Sequence, residues 1–376
     1  MVKVMRYSIF IANSFDSPTA INAESIKIIE NSKQASLRLQ LAQAAKASVL
    51  LGVQPIFINP ARNSVKSLPD EILANVSFCY LGKVSLGGNL DGIQLLKSFI
   101  DICLRLKDSG SKLIINYTDN WCDYDAANDF DSSPEGVVGN NFLAGMYKLL
   151  IHNANTVIVA CQSQKRAVLK WMPSTCTSHV ILDPVESKKS NFLPLSSEEE
   201  IKLCWFGHYS NFDFLQKAIF DAVKSVETNQ KIHLSIVSSV PVQVKIQEWC
   251  QSLRPRSKWI ISMHEWTREV QSRILQNSHM TILPSDLQCP RKAFASHNRA
   301  VEAINQGCLT IASPLDSYQE IGECLLLGHD FGKMLSYAIE NYSSEIRRVS
   351  DSRDKLLSRF SKENNIQGWK NVLKSA

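Results

Sequence analysis

Apolar and polar residues follow one another along this chain in blocks rather than singly. Short runs that are apolar almost throughout recur at RYSIFIA (6–12), VQPIFIN (53–59), VSFCYLG (76–82), KLIINYT (112–118) and TVIVAC (156–161). Unbroken β-branched and aromatic runs of this length predict strands covered on both faces, as in parallel sheets. Between them SLRLQLAQAAKASVLLG (36–52) and IQLLKSFIDICLRLKDSG (93–110) have helical composition and stop at a glycine. FLAGMYKLLIHNA (142–154) and SQKRAVLKWM (163–172) continue the helical series, and HVILDPV (179–185) closes it with a strand.

The polar, Ser-rich stretch ESKKSNFLPLSSEEE (186–200) then interrupts the pattern and reads as a linker. Strand-like IKLCWFG (201–207), IHLSIVSS (232–239), KWIISMHEW (258–266) and HMTILPS (279–285) follow, with helix-like FDFLQKAIFDAVKSV (212–226), PVQVKIQEWCQSL (241–253) and TREVQSRILQNS (267–278) between them. Residues 331–376 are helical in pattern only. The expected class is α/β, with two doubly wound Rossmann-like domains facing a cleft. The expected boundaries are 1–190, a linker at 191–200, 201–350, and helices over 351–376. The last of these returns to the first domain with Trp369 as its anchor.

Composition narrows the picture modestly. The 376 residues suit two domains, and 44% hydrophobic with 20% charged residues is ordinary for a globular chain. A formal charge of +5 is too small to imply nucleic acid, though it suits an anionic ligand or contact with an acidic membrane surface. The mixed-charge segment EIRRVSDSRDKLLSRF (345–360) reads as a solvated face rather than a lipid-binding one. Ten cysteines without C-x-x-C spacing, several in apolar runs, read as buried thiols. No apolar run approaches the ~20 residues of a membrane helix and the start lacks a signal-peptide pattern, so the cytoplasm is the expected location.

Chemistry concentrates in RKAFASHNRAVEAINQGCLTIASP (291–314). A helix is expected to begin near Ser296 or Asn298 and to stop at Gly307, with CLTIAS (308–313) as the next strand. Ligands of open α/β sheets bind beyond the carboxyl ends of the strands, where helix N-termini favour anions. Lys292 and Arg299 add formal positive charge, and Arg offers a bidentate fork for phosphate oxygens. Glu302 lies one turn further along and can accept hydrogen bonds from a vicinal diol. Phosphate at the tip and ribose one turn deeper would seat a nucleoside diphosphate. Each residue also has an ordinary reading: Ser296 as a cap, Arg299 as a solvated side chain, Glu302 as its ion-pair partner.

The segments CWFGH (204–208), SRILQNSHMTILPSD (272–286) and KAFASHNRAVEAINQGCLTIASPLDSYQEIG (292–322), with the terminal helix that carries Trp369, resemble the nucleotide-binding half of GT-B glycosyltransferases of the sugar-nucleotide-dependent group 1 type. The resemblance implies donor binding by Gly207, Lys292, Asn298, Arg299 and Glu302. It implies a nucleoside diphosphate sugar as co-substrate, no cofactor, and catalysis without an obligatory metal. One departure stands out: retaining members carry a second Glu eight positions before the ribose-binding one, and Phe294 occupies that position here.

Other candidates are weaker. His208, beside Gly207, is a candidate for polarising the leaving group, and Asp119 for the general base. Asn13 and Asp16, after the first strand, are expected on the acceptor side. Asp123 and Asp125 form a DxD pair, read as a solvated loop rather than a metal site. His264 is placed near a base pocket. A sugar-nucleotide epimerase and a non-catalytic scaffold on the same fold remain as rival functions.

Overall fold

The computed structural model describes residues 5–12, 23–61, 68–84, 91–124, 134–226, 228–239, 246, 248–249, 258–289 and 293–375. It divides into two compact units, one comprising Met1–Pro184, Cys289–Ala295 and Phe360–Ala376, the other Val185–Gln288 and Ser296–Arg359.

The first unit is built on β1 (Arg6–Ile11), β2 (Val53–Ile58), β3 (Val76–Leu81), β4 (Lys112–Asn116), β5 (Thr156–Val159) and β6 (Thr177–Val180), in the order β2-β1-β3-β4-β5-β6. Every pairing is parallel, as the unbroken apolar runs predict. Alternate residues of one strand enter different cores. Ile9 and Ile11 join Cys79, Leu113 and Val157 on one face, whereas Phe10 joins Phe57, Phe78 and Tyr80 on the other. The helices are α1 (Ala23–Glu30), α2 (Ala42–Leu50), α3 (Asp70–Leu73), α4 (Asp91–Asp108), α5 (Pro134–Asn153) and α6 (Gln162–Leu169). A π-helical turn over Leu37–Leu41 leads into α2, where an unbroken α-helix is expected from the sequence.

The second unit contains β7 (Ile201–Phe206), β8 (Ile232–Ser238), β9 (Trp259–Glu265), β10 (Met280–Leu283), β11 (Leu309–Ala312) and β12 (Leu325–Leu327), ordered β12-β11-β10-β7-β8-β9 and again parallel. Its described helices are α7 (Phe212–Ser225), α8 (Arg268–Gln276), α9 (Asn298–Asn305), α10 (Asp316–Gln319), α11 (Phe331–Glu340) and α12 (Tyr342–Arg359). The expected helix over 241–253 lies largely outside the described residues.

The final helix, α13 (Lys362–Ser375), belongs to the first unit and packs on α2. Trp369, 1% exposed, meets the Tyr80 ring edge-on at 5.5 Å between centroids. Asn365 donates to the Leu182 carbonyl at 2.8 Å. Because α12 runs to Arg359 within the second unit, the return begins at Phe360 rather than near 351.

The stretch expected as a linker is fastened along the second unit. Asn305 donates to the Ser187 carbonyl at 3.0 Å and Gln306 to the Lys188 carbonyl at 3.1 Å. Arg353 reaches the Ser190 carbonyl at 2.5 Å, and the Tyr342 hydroxyl donates to the Leu193 carbonyl at 2.9 Å. A backbone strap without secondary structure satisfies its carbonyls with side chains instead. Arg348 and Arg353 of α12 are engaged within the unit, Arg348 by Glu345 and Arg353 by this strap.

Among the described residues no helix is long and apolar enough to cross a membrane.

Candidate functional site

The chain reverses direction across the second sheet between β7 and its neighbour β10, since β8 and β9 lie on the other side of β7. Carboxyl ends at such a switch point form the natural ligand crevice of an open α/β sheet. β7 ends there at Phe206, and Gly207 follows it. The Gly207 N–H donates to the Val237 carbonyl at 3.2 Å, and its carbonyl accepts from the Ser238 hydroxyl at 2.9 Å. A Cβ at this position would stand 3.1 Å from Arg299 Nη1 and 3.2 Å from the Trp205 ring, so the missing side chain is what admits the guanidinium.

Arg299 is the second residue of α9, which starts beyond the carboxyl end of β10. Its Nη1 is buried without a hydrogen-bond partner, and Arg299 makes no ion pair among the described residues. The guanidinium lies close enough to the buried Tyr318 phenol to oppose the rise that burial imposes on that hydroxyl's pKa. At the cap position, His297 contributes no side-chain capping bond. The first N–H groups of α9 have no intrahelical acceptor and receive no cap from the His297 side chain. The His297 ring is buried, with Nε2 3.3 Å from Glu320 Oε2. A guanidinium nitrogen without an acceptor thus stands at the first turn of α9, on a side chain that also hydrogen-bonds the Tyr318 hydroxyl.

Glu302 stands one turn further along α9 and does not pair with Arg299. Part of the residue stays exposed, while its carboxyl is enclosed against the strap, accepting from the Glu186 N–H at 3.4 Å and from Ser187. Burial first, then the neighbouring Glu186, pushes its carboxyl above the usual range, against the opposing hydrogen bonds from Ser187 and the Glu186 backbone. An acid with a raised folded-state pKa favours folding at low pH and loses that benefit as pH climbs past the raised value. Glu302→Gln is therefore expected to raise the melting temperature by about 2 °C at pH 7.5 and not at about pH 4, measured by calorimetry at both values.

Gly307 ends α9 as expected, at φ +82°. The Cys308 N–H reaches the Ala303 carbonyl at 3.0 Å and the Gly307 N–H the Ile304 carbonyl at 3.1 Å, which is the paired closure of a Schellman motif.

The remaining candidates are placed as follows. Asn298 opens α9. His208 is exposed next to Gly207, its ring 4.2 Å from that of Tyr209. Asp119, in the first unit, is ion-paired to Lys83 at 2.6 Å. Asp123 accepts from Asn120 at 2.9 Å and Trp171 at 3.1 Å, and is ion-paired to Lys170 at 2.7 Å. Burial works against the Asp123 charge, but Lys170 and these donors hold its pKa below the usual carboxylate value. It latches a loop to the end of α6, a role more structural than the solvated loop read from its sequence. His264 belongs to a chain of polar groups on β8 and β9. Ser262 lies 3.1 Å from His264 and 2.8 Å from His233, and His233 Nδ1 is 3.5 Å from Glu200. Among the described residues no group of three His, Cys, Asp or Glu side chains could hold a metal ion. Asn13, Asp16, Asp125 and Lys292 lie outside the described residues.

Phe294 belongs with the first unit, where the Gln164 amide donates to its carbonyl at 2.9 Å and to that of Thr118 at 2.7 Å. Sequence reading missed Tyr318 at the Arg299 guanidinium; its only sign is an aromatic residue soon after the β11 strand.

No protein-family model and no curated protein matches this sequence. Solved structures match over nearly the whole chain. Anabaena HepE, crystallised with UDP and glucose, is 12% identical with a TM-score of 0.63, covering 99% of this chain and 100% of that one. Sucrose-phosphate synthase from Thermosynechococcus elongatus is 11% identical with a TM-score of 0.60, covering 98% and 99%. The lipopolysaccharide outer core galactosyltransferase WaaB is 11% identical with a TM-score of 0.54, over the same shares. The fold is that of the GT-B glycosyltransferases.

Proposed function

We propose that this chain transfers a sugar from a nucleoside diphosphate sugar to a glycan, lipid or small-molecule acceptor. The observation that carries the reading is the Arg299 guanidinium, packed against Gly207 with Nη1 buried and unpartnered, beside the open first turn of α9. A buried guanidinium N–H without an acceptor is costly, and a diphosphate oxygen supplies one. Glu302 then accepts from the ribose diol, and Asn298 opens the same helix tip.

In the reaction the bond between the anomeric carbon and the β-phosphate oxygen breaks, its electrons passing to the diphosphate. Arg299, the α9 amides and Lys292 stabilise that charge, with His208 at the leaving group. The acceptor oxygen bonds to the anomeric carbon and yields its proton to Asp119, once Lys83 has released that carboxylate. Asn13 and Asp16 bind acceptor hydroxyls. Protein cations meet the departing charge, so turnover is expected to survive EDTA. UDP-sugars are the first donors to test, because HepE was crystallised with UDP-glucose.

A thermal-shift panel of UDP, GDP, ADP and CMP compounds, followed by turnover of the stabilising donor, tests the proposal. One diphosphate is expected to raise the melting temperature by several degrees, and its sugar to be transferred. A flat panel overturns the reading. A second reading, a binding protein without turnover, draws on Phe294 where the resembling family has Glu. Donor binding with neither transfer nor hydrolysis favours it, and donor turnover without an acceptor favours an epimerase.

A further inference from the structure

The first unit carries an apolar surface that its own packing does not explain. On α5, Leu143, Met146, Tyr147, Leu150 and Ile151 face the core. The opposite side is not polar: Val138 is 43% exposed, Phe142 50% and Leu149 43%. With Gly145 between them, these positions fall within one arc of about 60° and extend about 16 Å along the helix. α5 is thus apolar on both sides, which a helix packed on one side only does not require. At the end of α6, Leu169 is likewise 49% exposed. The two elements meet where Lys148 Nζ sits 4.4 Å above the Trp171 ring, with Lys170 Nζ 5.8 Å from the same ring.

Lys148 and His152 lie along one edge of the stripe on α5, and both are exposed. Lys148 has no ion pair among the described residues. Lys170 is half-neutralised by Asp123, and no other described carboxylate pairs with these cations. Apolar side chains in a line, a tryptophan at their border and cations beside it are the features of a surface that lies in a bilayer interface. The size fits that occupant better than a second copy of the chain. Half of four large side chains amounts to roughly 350 Å², well under the ~800 Å² per partner of a stable protein interface.

We infer that α5 and the end of α6 form a membrane-docking face for anionic lipid, with Phe142 and Leu149 entering the headgroup boundary and Lys148 meeting lipid phosphate. This inference does not depend on glycosyl transfer, and its readout is binding alone.

The full chain is sedimented with vesicles of phosphatidylcholine alone or with about 30% phosphatidylglycerol. Partitioning is expected only with the anionic vesicles, and is expected to weaken in high salt. The double variant Phe142→Asp, Leu149→Asp should lose at least tenfold in partitioning and keep its melting temperature, since both side chains are exposed. Lys148→Glu should lose several-fold on anionic vesicles. Phe220→Asp, at a position 45% exposed on α7 of the other unit, should bind like the parent chain. No binding by the parent chain, or equal binding by the double variant, overturns the inference. So does a concentration-dependent dimer in sedimentation velocity that the double variant abolishes.

Discussion

Replacing Arg299 with methionine is expected to weaken nucleoside diphosphate binding about 100-fold while leaving the melting temperature of the free protein little changed. The two halves of this expectation come from one observation. Nη1 is buried with no acceptor, so in the free protein the guanidinium carries an unrepaid desolvation penalty. Methionine fills similar volume without that penalty but gives up the bond to the buried Tyr318 hydroxyl, and the two effects offset each other. With a diphosphate bound, the same group makes charge-assisted hydrogen bonds that methionine cannot replace, each worth about 1.5–3 kcal/mol. Arg299→Lys should recover only part of the affinity, because the ammonium lacks the planar fork. Calorimetric titration together with thermal melting checks both halves. If Arg299 were only structural, the melting temperature would fall and the affinity for folded protein would hold.

Gly307→Ala is expected to destabilise the second unit by about 3 kcal/mol, on the order of a 10 °C drop in melting temperature. A left-handed φ of +82° disfavours any Cβ by about 1 kcal/mol. The added atom would also stand 2.2 Å from the Asn191 carbonyl oxygen, a backbone atom of the strap that cannot swing aside. Gly52 at φ +73° and Gly110 at φ +95° separate the two contributions, for a Cβ at either meets nothing within 4 Å. Gly52→Ala and Gly110→Ala should each show the conformational part alone, about 1 kcal/mol. Equal losses at all three positions would refute the strap contact.

These two residues also show how far the sequence could be read. The α9–β11 segment was legible because its signals are local: a polar cluster, helical spacing, a glycine stop and an apolar strand in 24 residues (291–314). The parallel strands were legible for the same reason, since burial on both faces leaves unbroken apolar runs. The fastening of the strap was not legible because its composition is that of a solvated linker. What fixes it are Asn305, Gln306, Tyr342 and Arg353, more than 110 residues away in the chain. Asp123 read as part of a solvated loop for the same reason, its partner Trp171 lying 48 residues downstream. At the candidate site, Arg299 and Glu302 are visible as residue types in a helix. Their environments, the gap left by Gly207 and the enclosing strap, exist only once the sheet has folded.

The central claim is that the α9 tip grips a diphosphate. A crystal of the protein soaked with UDP tests it most directly. The account predicts phosphate density at the first turn of α9 within hydrogen-bond distance of Arg299 Nη1, with ribose hydroxyls turned toward Glu302. Density for the nucleotide elsewhere, or Arg299 and the α9 amides left bare at saturating UDP, would contradict it.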